Sequence, residues 1–161
     1  MAKKLSAGLL VYRRRHDRLE VFLVHPGGPF WRNKDDGSWS IPKGEFDEND
    51  DPLAAARREF CEETGCAIDG EFHALAPIKQ PSGKLIYAWA VEGDIDATEI
   101  TSNRFSIEWP PRSGKQQQFP EVDRGGWFDL REAERKLLRG QRALLEQLRT
   151  LVDRGSSTEI R

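Results

Sequence analysis

Residues 57–66 read RREFCEETGC, and this stretch decides the fold. Glu59, Glu62 and Glu63 crowd three carboxylates into five positions beside Arg57 and Arg58. On an α-helix those three positions are related by i, i+3 and i+4, so they share a face, with β-carbons roughly 5–6 Å apart. Each like-charge pair costs an isolated helix a few tenths of a kcal/mol, about what one favourable ion pair returns. Leu53, Ala56 and Phe60 fall on an adjacent face that can be buried. The acidic stripe therefore runs along the edge of a core, not on its far side. The helix has legible ends. Asp51-Pro52 supplies an N-cap and a proline at the first helical position, and Gly65 supplies the stop. The expected span is about 52 to 64.

Two readings compete for the acids. In one, they form a solvated helix face balanced by arginines. In the other, they clasp a hard divalent cation through oxygen: Mg²⁺ or Mn²⁺, with Ca²⁺ as an alternative. Magnesium keeps several waters and completes its shell with phosphate oxygens. A Lys-Gly turn just upstream, IPKGEF at 41–46, favours the second reading, because Lys43 can hold the charge of a phosphate ligand.

Working outward, Leu5, Ala7, Leu9 and Val11 alternate with other residues, as in a strand with one well-buried face. LEVFLVHP at 19–26 is a second strand, closed by Pro26, Gly27 and Gly28. Residues 26–38 are a Gly/Asn/Asp-rich loop, and SWSIPKGEF at 38–46 is extended. EFHALAPIKQ and KLIYAWAVEG are strands, the second with Leu85, Tyr87, Trp89 and Val91 on one side. Residues 109–119 are loop. GGWFDL is a short strand leading into Asp129-x-x-Glu132, a capping box. Leu144, Leu145, Leu148, Leu151 and Val152 form an apolar stripe at helical spacing. Strands before and after a central helix, with helices closing the chain, define an α/β or α+β layer fold.

The stretch 44–66, GEFDENDDPLAAARREFCEETGC, resembles the Nudix box, G-x5-E-x7-R-E-U-x-E-E-x-G-U, where U is bulky and apolar. Gly44, Arg58, Glu59, Phe60, Glu62, Glu63 and Gly65 fall at the required positions. Asp50 replaces the first Glu of the box, and Cys66 ends it as a small hydrophobe. The resemblance to Nudix hydrolases implies an α/β/α sandwich around a mixed β-sheet, with the catalytic helix at about 52–64 and helices at the C-terminal end. It implies a single domain over 1–153, a mobile tail at 154–161, and Mg²⁺-dependent hydrolysis of a nucleoside diphosphate linked to another group. Carried over by position, Glu62 and Glu63 resemble metal ligands. Glu59 resembles a further ligand or the base that activates water. Gly44 resembles the glycine whose carbonyl ligates metal, and Arg58 the arginine that orients a glutamate. Asp50, one methylene short, takes a structural or secondary place.

Outside the box the signals are thinner. Glu121, before the last strand, is either a further metal ligand or a surface carboxylate. Arg112 and Lys115 either bind phosphate or are solvated loop charges. Lys43 adds electrostatic stabilisation to catalysis and to substrate binding. Trp31, Trp39 and Trp89 are core residues or stacking platforms for a base. His16, His25 and His73 form no ligand set. Cys61 and Cys66 match no zinc spacing, so reduced thiols in a cytoplasmic protein are expected, with Cys61 as inert packing.

A net charge of −2 in 161 residues disfavours nucleic acid and anionic membrane as partners. No stretch approaches a membrane span, and the basic start with its short apolar run reads as strand, not signal peptide. A small-molecule nucleotide is the expected partner. Dinucleoside polyphosphates or nucleoside triphosphates, as in MutT-type clean-up, lead the substrate classes. Cues toward ADP-ribose and nucleotide sugars stand beside them, as do a non-catalytic nucleotide-binding module and an RNA-end pyrophosphohydrolase.

Overall fold

The computed structural model describes the backbone of residues 5–159 and the side chains of residues 5–154. The basic start Met1–Lys4, and Ile160 and Arg161 of the expected tail, lie outside the described residues. Strands β1 (Leu5–Arg15), β2 (Arg18–Pro26) and β3 (Lys43–Phe46) precede helix α1 (Pro52–Thr64). Then follow β4 (His73–Ala74), β5 (Ile78–Lys79), β6 (Leu85–Glu92), β7 (Arg104–Glu108), β8 (Gln116–Pro120) and β9 (Val122–Asp129). Helices α2 (Leu130–Lys136) and α3 (Ala143–Glu159) close the chain, the last turns of α3 running into the segment expected as a tail.

β1 is the centre of a seven-stranded mixed sheet. It runs parallel to β6 along one edge, from Leu5↔Leu85 to Tyr12↔Glu92. Its other edge is shared. β3 pairs antiparallel with residues 5–8 and β2 with residues 12–15. β9 lies outside β2, and β4 and β5 lie outside β6.

Because β1 is central, both of its faces are buried. The expectation of one buried face is corrected here. Leu10 and Tyr12 join Val21, Leu23, Ile86 and Ala88 in a cluster with Ala133, Leu144 and Leu148 from α2 and α3. Ala7, Leu9 and Val11 join Phe22 and Val24 in a second cluster with Ala55, Ala56 and Phe60 of α1. One helical layer lies on each side of the sheet, which is the expected α/β/α sandwich. Both apolar stripes read from sequence, on α1 and on α3, are the faces that these layers bury. Among the described residues no helix is long and apolar enough to cross a membrane.

Two further expectations are revised. EFHALAPIKQ is not one strand but two short ones, β4 and β5. Pro77 lies between them and has no N–H for the ladder. Residues 109–119 are not all loop: β7 and β8 form a separate hairpin from Arg104↔Pro120 to Glu108↔Gln116, leaving 109–115 as its turn. Gln116, Gln117 and Gln118 are exposed, so β8 lacks the apolar alternation that marks a strand packed on a core.

The segment that delivers Lys43 is clamped from the far end of the chain. Gln141 is fully buried. Its Oε1 accepts from Ile41 N–H at 3.0 Å and its Nε2 donates to Ser40 Oγ at 2.9 Å. Gln141→Leu would keep the volume but leave the buried Ile41 N–H without an acceptor, a cost of about 1–3 kcal/mol. A thermal melt should show Tm lower by several degrees; an unchanged Tm would mean the amide does not hold this segment.

Candidate active site

α1 begins and ends as its sequence dictates. The Asp51 carboxylate accepts from Ala54 N–H at 2.9 Å, Pro52 opens the first turn, and Gly65 closes the helix at φ 74°. Phe60 packs edge-on against Phe22 at 6.2 Å between ring centroids and fixes the rotation of the helix. With Phe60 inward, Glu63 is turned into the protein, Glu59 is half-buried and Glu62 is exposed. The three acids therefore span a gradient of burial. Asp50 lies ahead of the helix, its side chain accepting from Asp47 N–H at 3.1 Å within a turn. Cys61 is exposed on α1 and not packed as expected, because it lies one position beyond the buried face. Arg57 reaches away to Asp69, at 2.7 Å.

The carboxylates meet Lys43 and Gly44, which open strand β3 and do not form the turn expected from the sequence. The Lys43 backbone N–H donates to the Glu63 carboxylate. Gly44 faces Glu59 so closely that a β-carbon on Gly44 would overlap the Glu59 carboxylate. Arg58 spans the outer side of the ridge, 3.6 Å from Glu59 and 3.9 Å from Glu62.

Glu121 arrives from 58 residues beyond Glu63 by a chain of backbone hydrogen bonds. Asn103 N–H donates to the Glu62 carbonyl (2.8 Å), Glu121 N–H donates to the Asn103 carbonyl (2.9 Å), and Gly27 N–H donates to the Glu121 carbonyl (2.9 Å). Gly27 has no substitute here, since a β-carbon would overlap the Pro120 carbonyl oxygen.

Lys43, Glu63 and Glu121 line one cavity of about 240 Å³ with Val24, Trp31, Ser40 and Leu138. It lies beside β2 and β3, the two strands that share one edge of β1. Larger surface hollows occur beside Arg13 and Trp127 (about 440 Å³) and beside Leu19 and Leu130 (about 570 Å³), each with two aspartates on its wall, but neither is lined by a residue of α1. Arg112 and Lys115 are not brought to the cavity. They lie in the exposed turn of the β7–β8 hairpin, where Arg112 N–H donates to Glu108. Of the tryptophans, Trp39 is buried, with its Nε1 donating to Asp35 at 2.8 Å. Trp89 packs against the α1-side core. Only Trp31 faces the cavity.

The electrostatics are those of crowded acids at a protein edge. Burial pushes the Glu63 carboxyl up to about 8; Glu59 and Glu121 push the same way, against the pull of Lys43. Burial, then repulsion from Glu62, raises Glu59, and Arg58 offsets part of that. Burial lowers Lys43, with Lys84 adding to the effect. Among the described residues no three His, Cys, Asp or Glu side chains stand in finished ligand geometry. Yet the donor set is right for a hard cation: oxygen ligands only, in excess of local positive charge, beside a lysine. The carboxylates that burial and mutual repulsion destabilise as anions are those that a divalent ion would stabilise.

The fold has close counterparts. The chain superposes on an Ap4A hydrolase binary complex from C. elegans with a TM-score of 0.65 and 20% identity, covering 93% of this chain and 98% of that one. A mutT/nudix family protein from Listeria innocua gives a TM-score of 0.66 at 17% identity, covering 98% and 99%. The NUDIX domain of Shewanella oneidensis NrtR, complexed with ADP ribose, gives 0.65 at 18%, covering 94% and 90%. In sequence, the chain is 44% identical over 50 residues to an RNA pyrophosphohydrolase of Caulobacter vibrioides, a stretch spanning 28% of this chain and 29% of the relative. A family model described as NUDIX domain matches residues 2–148, taking in the box, the cavity and Glu121 alike, and the chain belongs to the Nudix family.

Proposed function

We propose that the protein is a divalent-metal-dependent pyrophosphohydrolase that cleaves a diphosphate linkage in a nucleoside diphosphate derivative, with Mg²⁺, or Mn²⁺ in its place, as cofactor. The observation that carries this reading is the convergence of Lys43, Glu63 and Glu121 on one cavity beside Glu59 and Gly44. Glu59, Glu62, Glu63, Glu121 and the Gly44 carbonyl are the residues that would hold the ion. Bound there, such an ion would neutralise charge building on the phosphates and make water easier to deprotonate. Where Glu59 is not itself a ligand it is the base, half-buried and raised, that would take the proton from the attacking water. Arg58 positions Glu59 and Glu62 from the outer side of the ridge. Lys43, whose ammonium is partly desolvated, binds a phosphate oxygen.

Dinucleoside polyphosphates and nucleoside triphosphates are the favoured substrates. The partial relatives named RNA pyrophosphohydrolases add 5′-phosphorylated RNA as a candidate, against which the acidic net charge weighs. All box glutamates of α1 are in place, which favours an enzyme over a nucleotide-binding module that has lost catalysis. Two unpaired cysteines suit a reducing, cytoplasmic setting. The test is incubation with Mg²⁺ or Mn²⁺ and a panel of nucleoside triphosphates, dinucleoside polyphosphates, ADP-ribose, nucleotide sugars and 5′-triphosphorylated RNA, with products identified. Cation-dependent scission of a phosphoanhydride bond is expected; a panel left intact with either cation would overturn the reading.

A further inference from the structure

His25 lies next to the end of β2 and is fully buried. Its ring meets Trp39 edge-on, at 5.3 Å between centroids. Nδ1 stands 2.9 Å from the Asp123 carboxylate, and Nε2 stands 2.6 Å from the Lys34 carbonyl. A carbonyl and a carboxylate only accept, so a ring bonded to both donates from both nitrogens and is an imidazolium. The Asp123 carboxylate is its counter-charge, with Arg124 as a second cation 4.0 Å from the same group.

Each of these bonds leads to a wall of the cavity. Lys34 belongs to the loop between β2 and β3, and its N–H donates to the carbonyl of Trp31, a lining residue, at 3.0 Å. Asp123 follows Glu121 closely on β9 and marks a break in the ladder. His25 pairs with Arg124 but Pro26 with Val122, so Asp123 is an extra residue, as in a β-bulge. Its effect shows in the packing. Val122 and Trp127 both join the α1-side cluster although an odd number of positions separates them. Unbroken alternation would put them on opposite faces of the sheet. The bulge therefore sets how the chain faces where it delivers Glu121 to the cavity. Asp123, outside the ladder register, is held there by its side chain, and that side chain is bonded to His25.

We propose that His25 is a positioning residue for the metal site, donating to Asp123 to fix the β9 bulge that brings Glu121 to the cavity. Its second bond, to Lys34, holds the loop that carries Trp31. His25 does not itself line the cavity, so it acts on a bound cation through Glu121. This rests on the reading of Glu121 as a ligand of a divalent cation, and it assigns the residue that holds that ligand in place. The two bonds have separate duties: the one to Asp123 governs cation affinity, and the one to Lys34 does not.

The test is Mn²⁺ binding without substrate, read from the spin resonance of the free ion, beside melting curves. His25→Gln keeps a donor for Lys34 but offers none to Asp123. It should weaken Mn²⁺ binding by about 10- to 100-fold, the usual cost of losing a group that orients a metal ligand. His25→Asn, whose amide N–H takes the place of Nδ1–H, should retain most of the affinity. Each variant loses one bond, so both should melt below wild type by similar amounts; a merely structural histidine would weaken Mn²⁺ binding equally in both. Asp123 is partly exposed, so Asp123→Ala probes the same link without opening the core. It should match His25→Gln in Mn²⁺ affinity and add no further loss to Glu121→Ala. The ¹⁵N spectrum of histidine-labelled wild type at neutral pH should show one buried ring with a proton on each nitrogen, absent from His25→Gln. A His25 ring with a single N–H overturns the proposal. So do equal Mn²⁺ affinities in the Asn and Gln variants, wild-type affinity in Asp123→Ala, or losses that add to that of Glu121→Ala, all of which leave the metal reading intact. Wild type that binds no Mn²⁺, or Glu121→Ala that binds it as well as wild type, removes the reading of Glu121 as a ligand, and this proposal with it.

Discussion

Glu62→Gln and Glu63→Gln should each lower kcat/KM on a confirmed substrate by on the order of 100- to 1,000-fold, the scale seen when one charge-stabilising group is removed from a preorganised site. Glutamine keeps the shape and one oxygen but loses the negative charge that a hard cation requires. The two variants should part company in stability. Glu62 is exposed and 3.9 Å from Arg58, a solvent-screened pair worth little, so Glu62→Gln should melt like wild type. Glu63 is 9% exposed and destabilised as an anion by burial and by Glu59 and Glu121. A neutral amide there relieves repulsion, so Glu63→Gln should melt at or above the wild-type temperature despite its lost activity. Loss of function with retained or gained stability is the mark of a site whose strain serves chemistry. The matched measurements are kcat/KM and a melting curve on the same preparations, both with Mg²⁺ absent during the melt. Wild-type turnover by Glu62→Gln would remove that residue from the metal site. A large fall in Tm for Glu63→Gln would show instead that the carboxylate is a structural partner of Lys43.

The parts of the site legible in the sequence were those written into one continuous segment. Asp51-Pro52 and Gly65 marked the ends of α1, because capping is a local affair of backbone groups and short side chains. The i, i+3, i+4 spacing of Glu59, Glu62 and Glu63 placed them on one face because helix geometry alone does so. What lay beyond reach was set by long-range pairing. Glu121 could be named as a candidate, but its approach to Glu63 depends on the hydrogen bonds through Asn103 and Gly27, and those residues carry no mark in the chain. Gln141, clamping Ile41 from 100 positions away, left no pattern at all. Arg112 and Lys115 looked suitable by charge, but β8, the Gln-rich strand of the hairpin that carries them off the cavity, has no apolar alternation to betray it. Trp31, Trp39 and Trp89 were equal as letters. Their neighbours in three dimensions separated one cavity residue from two that pack in the interior.

Gly44→Ala should cost about 100-fold in kcat while leaving the fold intact, because the added methyl and the Glu59 carboxylate claim the same space. Gly44 does not adopt a positive φ, so alanine meets no backbone penalty and even restricts the unfolded chain, a gain of about 0.4–1 kcal/mol where no strain follows. The overlap falls on the end of a flexible side chain, which can swing aside at little thermodynamic cost. Catalysis is less forgiving. A displacement of about 1 Å in a positioned group costs on the order of 100-fold in rate, and Glu59 would have to move at least that far. The Gly44 carbonyl, by contrast, is preserved in alanine, so any ligand role of that oxygen survives the change. A double-mutant cycle separates the two. If Gly44 acts by making room for Glu59, then adding Gly44→Ala to Glu59→Ala should cost nothing further, and the coupling energy should equal the full loss of the Gly44→Ala single variant. Additive losses would place the damage elsewhere, in the pairing of β3 with β1 at Ala7↔Gly44, and a lowered Tm for the single variant should then accompany them. On this expectation glycine at this position matters less for the strand it sits in than for the carboxylate it lets approach.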